Sequence, residues 1–255
     1  MRSVAIFLLI FLFSFKGNGF TDMNDHVGEE VMLFTPNEFF EEWTSHNENL
    51  NKLNTKLDKD FERFGKSKKF VKQMFYRAHK YLFDDYQQYA SLNNLMEDGR
   101  YDCVSGSLLY AMILDRYGFD YQIVETSFHV YLTLTIDNEQ ILLESTDPFG
   151  GFMTDQNEIE SYVEDFKRAA HENKLYLDPV HQKRTSLFNP SIYREINLQQ
   201  LKGLEYYNSA IFYNNNGALT NAFEEVSKAS KFYEADRIIA FKELLQTFLT
   251  VAKSN

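Results

Sequence analysis

Tyr101-Asp102-Cys103-Val104-Ser105-Gly106-Ser107-Leu108-Leu109-Tyr110-Ala111-Met112-Ile113-Leu114 opens the most apolar helix of the mature chain and carries its single cysteine. Leu108 to Leu114 leave almost no polar side over two turns, so the helix, expected from Cys103 to Tyr117 and closed by Gly118, belongs in the centre of the fold. Two or three strands follow, over 121–125, 128–136 and 141–145, the last two joined at Asp137-Asn138-Glu139. Phe128, Val130, Leu132, Leu134 and Ile136 alternate onto one face of the middle strand. The short turn makes the last two strands antiparallel neighbours. A buried helix beside such a sheet reads as an α+β fold.

Upstream, residues 20–35 read as a loose lead-in. From Pro36 to Phe64 apolar residues recur at helical steps, with one longer gap between Trp43 and Leu50, and Gly65 is the expected stop. A second helix is expected from Ser67 to Tyr89, and Asp98-Gly99 marks a turn. Downstream, a helix is expected over 156–173 and an irregular connector over 175–190. Two or three helices then fill 198–252. Ala210, Ala222, Val226 and Ala229 stand at helical spacing around Asn214-Asn215-Asn216-Gly217, which predicts a tight helical hairpin.

Composition bounds the function. Of 255 residues, 44% are apolar and 25% charged, which suits a folded globular chain. Thirty-seven acidic against 26 basic side chains leave a net charge of −11, which argues against a nucleic-acid partner. One cysteine makes no internal disulfide and no C-x-x-C zinc pair. His26, His46, His79, His171 and His181 show no metal-ligand spacing, so neither metal nor cofactor is expected. Arg2 precedes an apolar run from Val4 to Phe15, shorter than the roughly 20 residues of a membrane-crossing helix. Gly17 and Gly19 follow at the positions that precede a cut before Phe20. The segment 1–19 therefore reads as a secretory signal peptide, with an uncleaved short anchor as the alternative, and the protein as exported, periplasmic or secreted. No transmembrane span is expected.

The lone thiol sits at a helix N-terminus, where unpaired N–H groups and the positive end of the helix dipole favour thiolate. A thiol nucleophile needs a base, and the base an orienting carboxylate. His129 begins the middle strand and Asp147 ends the next, in Glu144-Ser145-Thr146-Asp147-Pro148, so antiparallel pairing brings the two to one edge of the sheet. A central helix packed on that sheet can deliver Cys103 to the same edge. One tension is visible: the His129 face continues as Tyr131, Thr133 and Thr135, half polar for a face that should meet a buried helix. The backbone N–H of Cys103 is one oxyanion donor, with Tyr101 or Asn94 as conceivable second donors.

Cys103 in Tyr101-Asp102-Cys103, Gly118, His129-Val130-Tyr131 and Asp147-Pro148 together resemble the transglutaminase-like superfamily, over Tyr101 to Gly151. Asp102 and Val104 stand where animal transglutaminases have Gln and Trp. The resemblance implies a papain-like core with nucleophile Cys103, base His129 and orienting Asp147. The tail resembles a tetratricopeptide-type hairpin. The expected organisation is thus a signal peptide (1–19), an N-terminal helical region (20–96), a transglutaminase-like catalytic core (97–174), and a connector with C-terminal helices (175–255). The expected function is a cysteine hydrolase or acyl transferase acting on an amide or ester of a protein or peptide substrate. Peptide hydrolysis is favoured over crosslinking, because nothing selects an amine over water. The alternative is a non-catalytic binding or scaffold protein of the cell envelope, with a protein partner on the C-terminal helices.

Overall fold

Short polar side chains decide where the helices of this chain begin. In the computed structural model, which describes residues 35–175 and 192–254, Asn47, Ser67, Ser91, Asp102 and Asn197 each accept a hydrogen bond from a first-turn N–H. Residues 1–34, with the expected leader, and 176–191, with most of the expected connector, lie outside the described residues. The single helix expected from Pro36 to Phe64 is two, α1 (Pro36–Thr44) and α2 (Glu48–Phe64). Asn47 separates them: its backbone is extended and its side chain caps the Leu50 N–H at 2.7 Å. The break falls in the gap between Trp43 and Leu50 where the apolar spacing lengthens.

The next helix, α3 (Lys68–Tyr81), ends before the expected Tyr89. The chain instead forms β1 (Asp85–Tyr86), α4 (Leu92–Asp98) and β2 (Arg100–Tyr101), with β1 and β2 paired in parallel. Gly99, at φ 80°, closes α4 in the left-handed conformation that suits glycine. Then come α5 (Cys103–Arg116), β3 (Gln122–Thr126), β4 (Val130–Ile136), β5 (Glu139–Leu143), β6 (Phe152–Met153) and α6 (Gln156–Leu175). After the undescribed stretch follow β7 (Tyr193–Ile196), α7 (Leu198–Asn215), α8 (Leu219–Phe232) and α9 (Asp236–Ser254). The main sheet has the order β6-β5-β4-β3-β7 with every neighbouring pair antiparallel, and the fold is α+β.

Alternation along the strands gives the sheet two apolar faces. Ile123, Val130, Leu132, Leu134, Ile141 and Leu143 join the large core that contains α5, whose side chains from Leu108 to Leu114 are fully buried. Val124, Tyr131, Leu142 and Met153 face the other way and pack with Ile159, Tyr162, Val163 and Phe166 of α6. This removes the tension over the His129 face: its half-polar residues meet the amphipathic α6, not α5. Among the described residues, no helix is long and apolar enough to cross a membrane.

At the C-terminal end, α7 and α8 form the expected hairpin around buried Ala210, Ala222, Val226 and Ala229, and α9 packs on α8. These helices are tied to the sheet by Glu125 of β3, which is 1% exposed. Its carboxylate accepts from Arg194 Nε of β7 at 2.8 Å, from the Tyr233 hydroxyl at 2.6 Å, and from Arg237 of α9. A carboxylate removed from water is tolerated only when charge and hydrogen bonds meet it, and removing it leaves two guanidinium groups unmatched. Glu125→Ala is therefore expected to cost about 3–5 kcal/mol in denaturant unfolding. A loss below about 1 kcal/mol would show that the apolar helix contacts alone hold the tail on.

Candidate active site

Cys103 is the first residue of α5 and is half-buried. Asp102, before it, takes extended backbone and caps the helix: Oδ1 accepts from the N–H groups of Val104 and Ser105, both at 2.8 Å. Ser105 Oγ in turn accepts from the Asp102 N–H at 2.9 Å, closing a capping box. The other Asp102 oxygen accepts from Asn208 Nδ2 of α7 at 3.0 Å. Gly106 lets this end of α5 press against the loop after β5. A Cβ there would stand 2.7 Å from Ser145 Oγ and 2.8 Å from Ser145 Cβ.

The β3–β4 turn delivers the imidazole. The Thr126 N–H donates to the His129 carbonyl at 2.8 Å, and the His129 N–H donates to Thr126 Oγ1 at 3.0 Å. The His129 ring stacks on Phe166 of α6, with centroids 5.7 Å apart and planes 10° from parallel. One ring nitrogen, Nε2, bonds to Glu144 Oε2. The Cys103 thiol interacts with the same imidazole, and each shifts the other's titration. Glu144 is itself held by the Thr146 N–H at 2.8 Å, the Thr146 hydroxyl at 2.6 Å and the Tyr162 hydroxyl.

Of the three residues picked from the sequence, the structure thus brings Cys103 and His129 together and sets Asp147 aside. Asp147 is exposed, and its Oδ1 accepts from the N–H groups of Phe149 and Gly150 at 3.0 and 2.9 Å, folding the β5–β6 loop. The carboxylate on His129 is Glu144. The reason is register. Ile136 faces Glu139, Leu134 faces Ile141 and Leu132 faces Leu143. Continued one step, Tyr131 lies opposite Glu144, on the His129 side of the sheet; the chain then turns, with the Asp147 N–H on the Glu144 carbonyl, and has left the ladder before Asp147. The three-residue turn expected at Asp137-Asn138-Glu139 would instead put Asp147 opposite His129. A two-residue reading of Asp137-Asn138, each tolerant of left-handed backbone, is the signal that finds Glu144.

The electrostatics also differ from a simple helix-terminus thiolate. The positive end of α5 is already occupied by the Asp102 carboxylate. Burial pushes the Cys103 thiol above its ordinary value, and Asp102 and Glu144 push the same way, while the hydrogen bond and charge of His129 pull it back. For His129, burial opposes the cation, but hydrogen bonds and charge from Cys103 and Glu144 outweigh it and push the imidazolium up to about 10. Burial likewise opposes the Glu144 anion, and His129, Thr146 and Tyr162 together hold it below the usual range. The Cys103 thiolate, when it forms, therefore forms against a protonated imidazole, and the two titrate as a pair.

Of the two second oxyanion donors raised from the sequence, Asn94 belongs to the α4 cap and Tyr101 to the aromatic core. Asn94 Oδ1 accepts from the Ser91 N–H and hydroxyl in the α4 cap, and Tyr101 is buried against Phe83, with ring centroids 4.4 Å apart. Tyr86, paired beside Tyr101 across the β1–β2 ladder, has its hydroxyl raised to about 12 by burial and by the negative charge of Cys103. No sequence pattern points to it, because a two-residue strand has no readable period. Among the described residues, no group of three or more His, Cys, Asp or Glu is placed to hold a metal ion. No protein-family model, no curated protein and no solved structure matches the chain.

The assignment of Glu144 is checked by ring nitrogen NMR of His129. The wild-type ring should stay cationic to about pH 10, and Glu144→Gln should lower that midpoint by roughly 1 unit or more while Asp147→Asn leaves it in place. Movement in Asp147→Asn alone would reverse the assignment. Because the folded value lies above the ordinary 6.5, the His129 contacts stabilise the fold fully below about pH 6.5. That contribution is lost as pH rises through about 10.

Proposed function

We propose that the protein is an exported, transglutaminase-like cysteine hydrolase or acyl transferase, acting on an amide or ester through Cys103, His129 and Glu144. The observation that carries this reading is the bond from the His129 imidazole to the buried Glu144 carboxylate, with the helix-opening Cys103 thiol interacting with the same ring. The order along the chain, with thiol on helix, imidazole at one strand and carboxylate after the next, supports the superfamily resemblance.

In the reaction, Cys103 Sγ attacks the carbonyl carbon, forming a C–S bond as the C=O electrons move onto oxygen. The N–H of Cys103, first in the helix and with no acceptor within it, faces the developing oxyanion. As the tetrahedral adduct collapses, the C–N or C–O bond breaks and the His129 imidazolium gives its proton to the leaving group. The neutral ring then takes a proton from water, whose oxygen attacks the thioester. Carboxylate is released and the thiolate–imidazolium pair is restored. Glu144 holds Nε2, fixes the ring's orientation and stabilises its positive form throughout. Hydrolysis is preferred to crosslinking because the site shows no feature that selects an amine over water.

The raised Cys103 thiol favours the second reading, a scaffold whose cysteine is merely packed, and reactivity separates the two. A thiol-directed acyl probe should label the wild type and not Cys103→Ala, with labelling slowed about 10²–10⁴-fold in His129→Ala. The wild-type rate should rise on the alkaline side of neutrality. Asp102→Asn keeps a capping oxygen but removes a charge that raises the thiol, so its midpoint should shift to lower pH. Equal labelling of wild type and His129→Ala would leave the scaffold reading standing.

A further inference from the structure

Single exposed apolar side chains are ordinary on protein surfaces. Here most of them fall on a few segments of the chain. Four large apolar residues of the described chain are more than half exposed: Tyr86 at 52%, Phe128 at 61%, Phe149 at 90% and Val251 at 54%. Three of the four stand on the segments that build the site. Tyr86 lies on β1, paired to the strand that runs into Asp102 and Cys103. Phe128 precedes His129 in the β3–β4 turn. Phe149 lies in the loop that begins at Glu144, its N–H bonded to Asp147.

Charge sharpens the grouping. The same segments, 84–86, 101–103, 126–129 and 144–151, contain no lysine or arginine, and besides the His129–Glu144 pair they carry four carboxylates: Asp84, Asp85, Asp102 and Asp147. Arg100, the basic residue beside them, is bound to Asp98 at 2.6 Å and to Gln87 at 3.0 Å. Aromatic faces carry partial negative charge and attract cations, and the exposed carboxylates of Asp84, Asp85 and Asp147 add to the effect. A neutral apolar ligand would be served by the rings but not by this charge.

We propose that the site takes cationic peptides, a lysine or arginine side chain next to the attacked carbonyl lying among Tyr86, Phe128 and Phe149 with the Asp147 carboxylate beside it. This rests on the thiol-hydrolase reading above. The rings supply area without closing a pocket, so selection acts on the charge of the neighbouring side chain more than on its length. A peptide with an acidic residue there meets repulsion from Asp147.

Three peptidyl acyloxymethyl ketones, identical but for Arg, Leu or Glu next to the reacting carbonyl, test this on the full chain. Cys103 labelling rates are divided by those for iodoacetamide, which carries no side chain. The expected result is labelling about tenfold faster for Arg than for Leu, with Glu slower still. Phe149→Ala and Asp147→Asn should each bring the Arg and Leu rates toward equality. Both positions are exposed, so the fold stays intact. Equal rates for all three probes, fastest labelling by Leu, or an Arg preference unchanged in both variants would overturn the proposal. If iodoacetamide labels wild type and His129→Ala alike, the thiol-hydrolase reading itself fails. If it depends on His129 but no Arg preference appears, only the substrate inference falls.

Discussion

Two left-handed residues, Asp137 at φ 52° and Asn138 at φ 64°, set the register on which the site depends. Their backbone closes β4 onto β5 in the smallest hairpin, with Ile136 facing Glu139. Aspartate and asparagine adopt this conformation at modest cost because their short polar side chains bond locally. One residue more in the turn would move every β5 side chain to the opposite face. The apolar stripe of Ile141 and Leu143 would leave α5, and Glu144 would leave His129. The buried core and the candidate site therefore impose the same register, and neither can change without the other.

The second constraint is charge at the start of α5. At this helix N-terminus the N-cap carboxylate, rather than the thiolate, takes the N–H groups of the second and third residues. Asp102 receives the first free N–H groups of the helix, and Asn208 joins it from α7. Cys103 is left to draw its stabilisation as an anion from His129 alone among its neighbours, against burial and two carboxylates. That makes the imidazolium, held cationic by Glu144, the decisive partner. It also links the C-terminal helices to the candidate site, since α7 supplies a bond to the N-cap residue before Cys103.

Elements with many periods are legible in the amino-acid order alone. The all-apolar run of α5, the alternation of β4 and the small-residue spacing of α7 and α8 each repeat over several turns or pleats, and each forms where expected. Elements too short to repeat are not. β1 and β2 are two residues each and exist only through their mutual pairing, while β7 is held by β3 across a long stretch of chain. The break between α1 and α2 shows only as a lengthened gap, because a capping asparagine looks like any other polar residue until its side chain turns inward.

Within the site the same division holds. Cys103 and His129 can be chosen from local position, one at a helix start and one at a strand start. The carboxylate cannot, because Glu144 and Asp147 are three residues apart on the same segment, one continuing the strand toward the imidazole and the other folding the loop that follows. The sequence by itself determined a buried central helix headed by a lone thiol, an antiparallel hairpin behind it, and an acidic surface. Tertiary structure decided which carboxylate meets the imidazole and which anion takes the helix end. It also decided that α6 rather than α5 covers the half-polar face. These depend on register and packing between segments distant in the chain, and no local pattern encodes a distance between two surfaces that meet only on folding.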